Sequence, residues 1–553
     1  MTLEILGSRF LAPYFGSTLF VWGSLIGVVL SALSLGYYYG GKVADKNPSF
    51  HTFSLIIFSA GAYILLIALT SSTLFDFVLA LRLGERYGPL IAALMLLAIP
   101  SFLLGIVSPY SIRLEAETYR RVGSIAGSLY SISTAGSIIG TFVTVFILIP
   151  QFGVMKILFG VSIVVMGVSL LRLPNRMRAV VILVISLAVA LAVSEPVQAG
   201  GVIYAKDTPY HRLIVKDDSL SGVRTLVLDN NFHSAMDLRN PDRIVYSYTG
   251  YFHLGFLFSS EIRNVLFIGG GGFSGPKRFL RDYDWVTVDV VEIDPDVIQV
   301  AKEYFGVMDE ERLNIYSEDG RAYLANSNKK YDLIVLDAYA RTHIPFHLLT
   351  LEFFGEIEKD LTPNGVVVSN IISSLTGRNA DIFKAEYKTL SQVFPNVYVF
   401  PVSDVGSGFV QNIITVAAKS DIFYSKANLL DMAGNVSYLK ISQISDYVEH
   451  YWEAEIEASD APILTDDYAP VANLINPLTG QSFVREEDQG SVIVEATEIP
   501  NLWGGIATIT PQSIFVIILG IGIGIIILLA DKYRGKSQAF SATSDFSNPQ
   551  QVK

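Results

Sequence analysis

The sequence predicts a multi-span α-helical membrane part, followed by a small β-hairpin module and a soluble α/β domain with a parallel, doubly wound sheet. Three observations predict this fold class. The first 197 residues are almost wholly apolar, broken only by short charged loops. From residue 264 onward, short buried strands alternate with helices. A further apolar run, residues 509–530, is long enough to cross a bilayer.

Composition narrows the chemistry of the chain. It has 553 residues, and 51% of them are hydrophobic, which is too many for an ordinary soluble protein. The formal net charge of −12 disfavours nucleic acid as a partner, because phosphates require a basic surface. The absence of cysteine excludes disulfides and thiolate ligands. We predict no metal, since His343 and His347 flank a proline and lack metal-ligand spacing.

The membrane part, residues 1–197, is predicted to hold about six spans of roughly 20 apolar residues each. They lie near residues 17–40, 51–72, 88–110, 124–149, 153–171 and 179–197, with a last span at 509–530 before a polar tail, residues 531–553. Many small residues in the first span favour close helix packing or, alternatively, a substrate path. No charge lies mid-span to mark such a path.

The soluble part divides into two modules. Residues 201–262 contain short apolar or alternating runs separated by Ser and Gly, which indicates a β-hairpin module. Residues 263–500 repeat the order strand, loop, helix, which is typical of a Rossmann-like sheet. Ligands of such sheets bind beyond the carboxyl ends of the strands. The glycine and acidic clusters of this domain all fall at predicted strand ends, which indicates a binding site there.

The first two clusters fit a nucleoside. Gly269, Gly270 and Gly271 follow the first strand, where backbone without Cβ atoms lets a ligand approach closely, although such loops often make only a tight turn. Glu292 ends the second strand, about 20 residues later, where a carboxylate can accept both ribose hydroxyls. The alternative role, capping of the next helix, suits Asp294 better.

The next two clusters end the third and fourth strands. Asp319 and Gly320 can bind an adenine amino group, or simply form a turn. Asp337 lies where a reacting group would lie and can act as a general base toward an amine or hydroxyl; its alternative is a loop anchor. A late acidic loop, residues 465–470, either closes over the site or caps a helix, and the sequence favours the cap.

These segments together resemble the spermidine synthase family. The segments that carry the resemblance are residues 210–252, 264–272, 291–295, 318–321 and 331–337, in the order and at the spacing of the family's motifs. Residues 36–45 and 464–470 are similar to a subgroup fused to membrane helices. The resemblance implies an α/β Rossmann-like, methyltransferase-type domain preceded by a β-hairpin module, in a transferase attached to a multi-span membrane part.

The resemblance also implies a reaction and residue roles. The donor would be decarboxylated S-adenosylmethionine, or S-adenosylmethionine itself, and the transferred group an aminopropyl or related group. By resemblance, Glu292 would bind the ribose and Asp319 the adenine. Asp337 would deprotonate the attacking amine.

Several positions depart from the family pattern. Soluble members carry an Asp where this chain has Gly272 and a second Asp where it has Ala340. A Tyr-His-Glu motif is replaced by Tyr246–Tyr248, and a Gln of the hairpin module by His233. The lost acids are those expected to bind cationic amines, because a buried ammonium needs a paired carboxylate. We therefore expect nucleoside binding to survive and the small-molecule acceptor to be lipid-borne or less cationic than a polyamine.

Three functions fit these expectations. The first is a transferase acting on an acceptor that the sequence does not identify. The second is a catalytically inactive nucleoside- or polyamine-sensing domain that regulates a membrane transporter-like part. The third is a scaffold with a dead site, against which the retained Glu292, Asp319 and Asp337 argue. A homo-oligomer is compatible with all three.

Charged loops predict the side of the cell membrane on which the domain lies. Lysine and arginine concentrate in cytoplasmic loops. The basic residues that follow alternate spans are Lys42, Lys46, Arg113, Arg120, Arg121, Arg172, Arg176, Arg178, Lys532, Arg534 and Lys536. This bias predicts an extracytoplasmic soluble domain, whereas supply of an adenosyl cofactor predicts a cytoplasmic one, so the side stays open.

Overall fold

The computed structural model of the protein describes residues 1–15, 18–46, 48–81, 83–115, 122–171, 173–193, 201–229, 231–259, 261–339, 344–435, 440–441, 443–478, 482–487 and 490–494. The predicted last span and polar tail lie outside the described residues, as do Ala340 and His343.

Helices make up the first part of the chain. They are α1 (Thr2–Phe15), α2 (Leu19–Lys46), α3 (Phe50–Ala80), α4 (Gly84–Ala93), α5 (Ile99–Glu115), α6 (Val122–Val143), α7 (Ile149–Ser169) and α8 (Asn175–Val193), with π-helical turns at Leu94–Ala98 and Thr144–Leu148. Within the described residues, five segments can cross a membrane by length and composition: Leu19–Lys46, Phe50–Ser71, Arg86–Glu115, Val122–Leu148 and Gln151–Ser169.

Two features of this helical part differ from expectation. The sixth predicted span corresponds to α8, whose apolar stretch Met177–Val189 is shorter than the others. Helix α1 was not predicted at all. Two glycines of the first span do serve close packing: a Cβ on Gly36 would lie 2.4 Å from the Phe102 carbonyl oxygen of α5, and one on Gly40 would lie 2.8 Å from the Ile106 Cα. Gly23, Gly27 and Gly41 have no such neighbour among the described residues.

The two ends of the helical part differ in what they contact. At one end, Asp45 of α2 pairs with Arg113 of α5 at 3.4 Å. At the other end, the Val154 amide of α7 donates to the Asp207 carboxylate at 3.1 Å. There the Arg9 guanidinium of α1 also donates to the Pro209 carbonyl. The soluble part is therefore seated on the end opposite Asp45.

The hairpin module is a four-stranded antiparallel sheet with the strands in chain order. Its strands are β1 (Val202–Asp207), β2 (Arg212–Asp218), β3 (Val223–Leu228) and β4 (Asn231–Asp237). Two short helices, α9 (Tyr248–Tyr251) and α10 (Gly255–Phe258), flank a 3₁₀ turn (Phe252–Leu254) and lead into the larger domain. The predicted β-hairpin module is thus a four-stranded meander, in which each strand pairs with the next along the chain.

The larger domain is built on a nine-stranded sheet of order β13-β12-β11-β9-β8-β5-β6-β7, with β10 paired to β11. Its strands are β5 (Asn264–Ile268), β6 (Thr287–Val291), β7 (Leu313–Tyr316), β8 (Tyr331–Leu336), β9 (Leu361–Ser373), β10 (Asn396–Pro401), β11 (Gln411–Ala418), β12 (Phe483–Glu487) and β13 (Gly490–Val494). Strands β5 to β9 pair in parallel, and β11 runs antiparallel to β9. The predicted Rossmann-like, methyltransferase-type fold is confirmed.

Helices cover both faces of this sheet. They are α11 (Ser274–Asp282), α12 (Pro295–Tyr304), α13 (Gly320–Asn326), α14 (Leu351–Asp360), α15 (Asp381–Leu390), α16 (Lys426–Asn435), α17 (Ile444–Glu449) and α18 (Val471–Ile475), with 3₁₀ turns at Phe346–Leu348, Arg378–Ala380 and Asn476–Leu478. Strand β5 shows why the pattern predicted the fold: Val265 and Phe267 belong to one buried cluster, and Leu266 and Ile268 to the other. Successive side chains point to opposite faces, so a strand buried on both reads as one apolar run.

Candidate active site

The predicted site residues all line one cavity. Strand order reverses at β5, with β6 on one side and β8 on the other, and ligands bind at such switch points. Beyond the carboxyl ends of these strands lies a cavity of about 670 Å³. The predicted residues that line it are Gly269, Gly270, Gly271, Glu292, Asp319, Gly320 and Asp337.

The glycine loop has a conformation that demands glycine. Gly269 has φ 98° and Gly271 has φ 50°, in the left-handed region where side chains are disfavoured. A Cβ on Gly269 would lie 2.4 Å from the Asp337 carbonyl oxygen. The loop is therefore pressed against the end of β8.

Glu292 fixes these amides. Its Oε2 accepts hydrogen bonds from the amides of Gly270 (2.9 Å) and Gly271 (3.3 Å), and its Oε1 accepts one from the amide of Asp294 (3.0 Å). Helix capping falls to Asp294, which accepts from the Asp296 amide at 3.0 Å. Each carboxylate oxygen has two lone pairs, so Glu292 keeps acceptor capacity toward the cavity.

The two carboxylate oxygens of Asp319 have different partners. Its Oδ1 caps α13 by accepting from the amides of Arg321 and Ala322, each at 3.0 Å. Its Oδ2 lies 2.9 Å from Nε2 of His347. Burial would raise the pKa of Asp319, but the bonds from the Ala322 amide and from His347 outweigh it and lower that pKa. Asp319 is therefore ionised, and His347 is its partner rather than a lone histidine.

Asp337 is the titratable group that lines the cavity at the end of β8. Its Oδ1 accepts from the Asn370 side-chain amide at 2.9 Å, and its Oδ2 accepts from the Tyr248 hydroxyl at 3.4 Å. Burial raises the pKa of Asp337 to about 7, and the hydrogen bonds from Asn370 and Tyr248 partly oppose that rise. A carboxyl with a pKa near the operating pH is suited to general base catalysis.

Another wall of the cavity is aromatic and basic. The Arg485 guanidinium lies over the rings of Tyr246 (4.6 Å) and Phe232 (5.0 Å). Burial lowers the pKa of His233 to about 4, so this histidine is neutral at physiological pH. His211 pairs with Asp229 at 3.0 Å. No residue of this wall presents an unpaired carboxylate among the described residues.

The helical part supplies another wall of the same cavity. The residues that form it are Ile5, Ser8, Arg9 and Ala12 of α1, Val21 and Trp22 of α2, Val145 of the second π-helical turn, and Ile149 of α7. Sequence reasoning missed this wall, because it assigned no helix to residues 2–15.

Three other features were missed or left open. Asn370 and Ser234 carried no sequence signal, yet Asn370 binds Asp337, and Ser234 accepts from the Gly272 amide at 2.8 Å. The acidic loop does not line the cavity: Asp466 pairs with Arg321 at 2.7 Å and accepts from Thr350 at 2.8 Å. The acidic loop thus holds the Arg321 side chain in place and does not close over the site.

Comparison with known proteins gives the family. The spermine/spermidine synthase domain profile matches residues 249–424. A polyamine aminopropyltransferase of Vibrio vulnificus is 30% identical over 239 residues, which cover 42% of this chain and 76% of that protein. One of Methanocaldococcus jannaschii is 27% identical over 224 residues, covering 39% of this chain and 74% of that protein.

Solved structures are similar at lower identity. A probable spermidine synthase from Corynebacterium glutamicum is 20% identical with a TM-score of 0.39, covering 49% of this chain and 98% of that one. The spermidine synthase from Thermotoga maritima is also 20% identical, with a TM-score of 0.34, covering 51% of this chain and 88% of that one. By its sequence relatives, the chain belongs to the spermidine synthase family of polyamine aminopropyltransferases.

Proposed function

We propose that the protein is a membrane-bound aminopropyltransferase that uses decarboxylated S-adenosylmethionine as donor and an amine other than the usual polyamines as acceptor. The observation that carries the proposal is the placement of Asp337. A carboxyl whose pKa is raised to about 7 lies at the end of β8, in the same cavity as the glycine loop and Glu292. The family relationship supports a transferase of this kind.

The nucleoside half of the donor would bind along the strand ends. One ribose hydroxyl would donate to the remaining lone pair of Glu292 Oε1, because three backbone amides occupy the other three lone pairs and hold the carboxylate in place. The adenine amino group would donate to the remaining lone pair of Asp319 Oδ2. Gly320 fits this arrangement, because a Cβ there would lie 2.4 Å from Cγ2 of the Ile268 side chain at the end of β5.

The chemical step needs one base. Asp337 takes a proton from the ammonium of the acceptor, and the lone pair so freed attacks the propyl carbon bonded to the sulfonium. A C–N bond forms, and the C–S bond breaks with its electron pair going to sulfur. Methylthioadenosine leaves, and the new secondary amine of the product remains as an ammonium. Asn370 and Tyr248 hold the carboxylate in one orientation, which keeps its remaining lone pairs toward the acceptor.

The acceptor side fits a polyamine poorly. A Cβ on Gly272 would lie 2.7 Å from the Ser234 Cβ, so the acidic side chain that soluble relatives carry in this loop has no room. Arg485 adds positive charge over Tyr246. A second ammonium on the acceptor would then be desolvated without a partner carboxylate, which costs several kcal/mol, of order the penalty for an unpaired buried ion.

Attachment to the cell membrane is supported by the helical part. Among the described residues, five of its segments are long and apolar enough to cross a bilayer. Their domain-facing end is fixed to the hairpin module through Asp207 and Pro209. The lipid bilayer is therefore proposed as a partner.

One observation favours a second candidate, a nucleoside- or polyamine-sensing domain without catalysis. The helical part forms a wall of the ligand cavity, so occupancy of that cavity would be felt directly by α1 and α2. This candidate requires binding without turnover.

A binding and turnover experiment on the detergent-purified full chain decides between the two. Titration would compare decarboxylated S-adenosylmethionine, S-adenosylmethionine and methylthioadenosine, with Glu292→Ala as the control. We expect the decarboxylated donor to bind, the control to lose binding, and methylthioadenosine to form when an amine is added. Binding without product would favour the sensing domain, and preference for S-adenosylmethionine would contradict aminopropyl transfer.

A further inference from the structure

One face of α1 is turned toward the catalytic cavity. Ile5, Ser8, Arg9 and Ala12 are spaced three and four residues apart, which puts them on one side of a helix, and all four line the cavity. The Arg9 guanidinium donates to the Pro209 carbonyl of the hairpin module. Helix α1 therefore closes the cavity on the side of the helical part.

Two residues of this wall combine exposure with a position on the cavity. Trp22 and Val145 both line the cavity, yet 43% and 41% of their surfaces are exposed. Val145 lies in the π-helical turn, a distortion that often occurs at functional sites. Trp22 lies near the start of a membrane-spanning segment, the depth at which tryptophan is enriched at membrane interfaces. An opening from the cavity toward lipid would therefore lie at Trp22 and Val145.

The polarity of the cavity changes along its length. At the base, Asp337, Tyr248 and Asn370 provide hydrogen bonds. On the helical wall, Arg9 is the one charged side chain among the described lining residues, and its charge is positive. An acceptor that extends from the base to this wall needs a polar amine at one end and apolar atoms at the other, because a second cation would meet Arg9.

We infer that the acceptor is a primary amine carried on a long apolar chain. This amine enters the cavity from the bilayer, between α2 and the second π-helical turn (Thr144–Leu148). This inference rests on the proposed function. The amine nitrogen attacks the propyl carbon of the donor, the C–S bond breaks, and Asp337 takes the proton. The products are an N-(3-aminopropyl)alkylamine, which returns to the lipid, and methylthioadenosine, which dissociates from the nucleoside site.

The test measures methylthioadenosine released by the full chain in lipid nanodiscs with decarboxylated S-adenosylmethionine and one of three amines. The amines are dodecylamine, butylamine and putrescine. We expect kcat/KM for dodecylamine to exceed that for the other two by at least about tenfold, since each buried methylene adds about fourfold in affinity.

Two alanine-to-phenylalanine variants separate the cavity from simple partitioning into lipid. Ala12→Phe fills the helical wall of the cavity, whereas Ala135→Phe adds the same side chain at an exposed position of α6 that does not line it. We expect Ala12→Phe to lower dodecylamine turnover at least about tenfold and Ala135→Phe to leave it unchanged. A donor titration on each variant checks that the nucleoside site is folded.

The results that would contradict the acceptor inference differ from those that would contradict the proposed function. Equal or better turnover of putrescine, with no effect of Ala12→Phe on dodecylamine, overturns the apolar acceptor and leaves the transferase standing. An equal loss in both variants with donor binding intact also overturns it, because the effect is then not on the cavity. If none of the amines yields methylthioadenosine although the donor binds, the proposed function itself fails, and the acceptor inference with it.

Discussion

The side-chain amide of Asn370 donates a 2.9 Å hydrogen bond to the Asp337 carboxylate, across the adjacent ends of β8 and β9. Asn370 is itself oriented, because Asn412 of β11 donates to its side-chain oxygen at 2.9 Å. Three neighbouring strands thus hold one carboxylate in a fixed position.

Asp337→Asn should abolish proton removal without disturbing the fold. The amide is nearly isosteric but cannot accept the proton, so we expect kcat to fall by about 10²- to 10⁴-fold, the usual contribution of a general base. Donor affinity should change little. Methylthioadenosine release and donor titration measure the two effects. Unchanged turnover would leave Asp337 as a loop anchor, the alternative that its position in the sequence allows.

The activity should depend on pH through the raised pKa of Asp337, about 7. A base works only when deprotonated, so kcat should rise about tenfold per pH unit below pH 7 and level off above it. Asn370→Ala removes a bond that stabilises the charged form, so the midpoint should move upward by as much as about one pH unit. Rate profiles of both proteins test this, and coincident midpoints would rule out the coupling.

Glu386 should make the domain less stable at high pH. Its side chain is fully buried in α15, Ser369 donates to Oε1 at 2.6 Å, and Oε2 has no partner among the described residues. Burial raises the pKa of Glu386 to about 7. The folded state then keeps a proton that the unfolded state loses above its ordinary pKa, so stability falls as pH rises toward 7.

Glu386→Gln should remove this dependence. At pH 8 we expect the variant to be more stable by as much as about 3 kcal/mol, and at pH 4 by little. Thermal unfolding of the two proteins across this pH range measures the difference. A gap that does not widen with pH would show that Glu386 is ionised or protonated equally in both states.

The side of the membrane can be determined because the chain has no cysteine. Lys46 ends α2 next to the Asp45–Arg113 pair, about 40 Å along the helix from Trp22 at the domain end. The positive-inside rule therefore predicts that Lys46→Cys is labelled by an impermeant maleimide only after permeabilisation. In the hairpin module, Ser219→Cys should be labelled in intact cells.

The outcome bears directly on donor supply. Labelling as expected would require the adenosyl donor to reach the outer face. The reverse labelling pattern would place the domain in the cytoplasm, where such donors are made. The topology predicted from the charged loops would then be wrong. A cysteine-free control accounts for background labelling.

The sequence alone determined the sheet and the strand-end residues. The apolar run of Asn264–Ile268, the glycines after it and the acids Glu292, Asp319 and Asp337 are local signals, since strand period and turn chemistry depend on neighbouring residues. A parallel sheet then brings every strand end to one edge, so the convergence on one cavity followed from the pattern.

Only the tertiary structure decided what completes the cavity. Arg9 and Pro209 meet across 200 residues of sequence, and Asn370 meets Asp337 through strand pairing. No local pattern records such contacts, because each depends on how separately formed elements pack. The raised pKa of Asp337 likewise results from burial. Burial exists only after the hairpin module and the helices have packed around this residue, so the sequence does not reveal it.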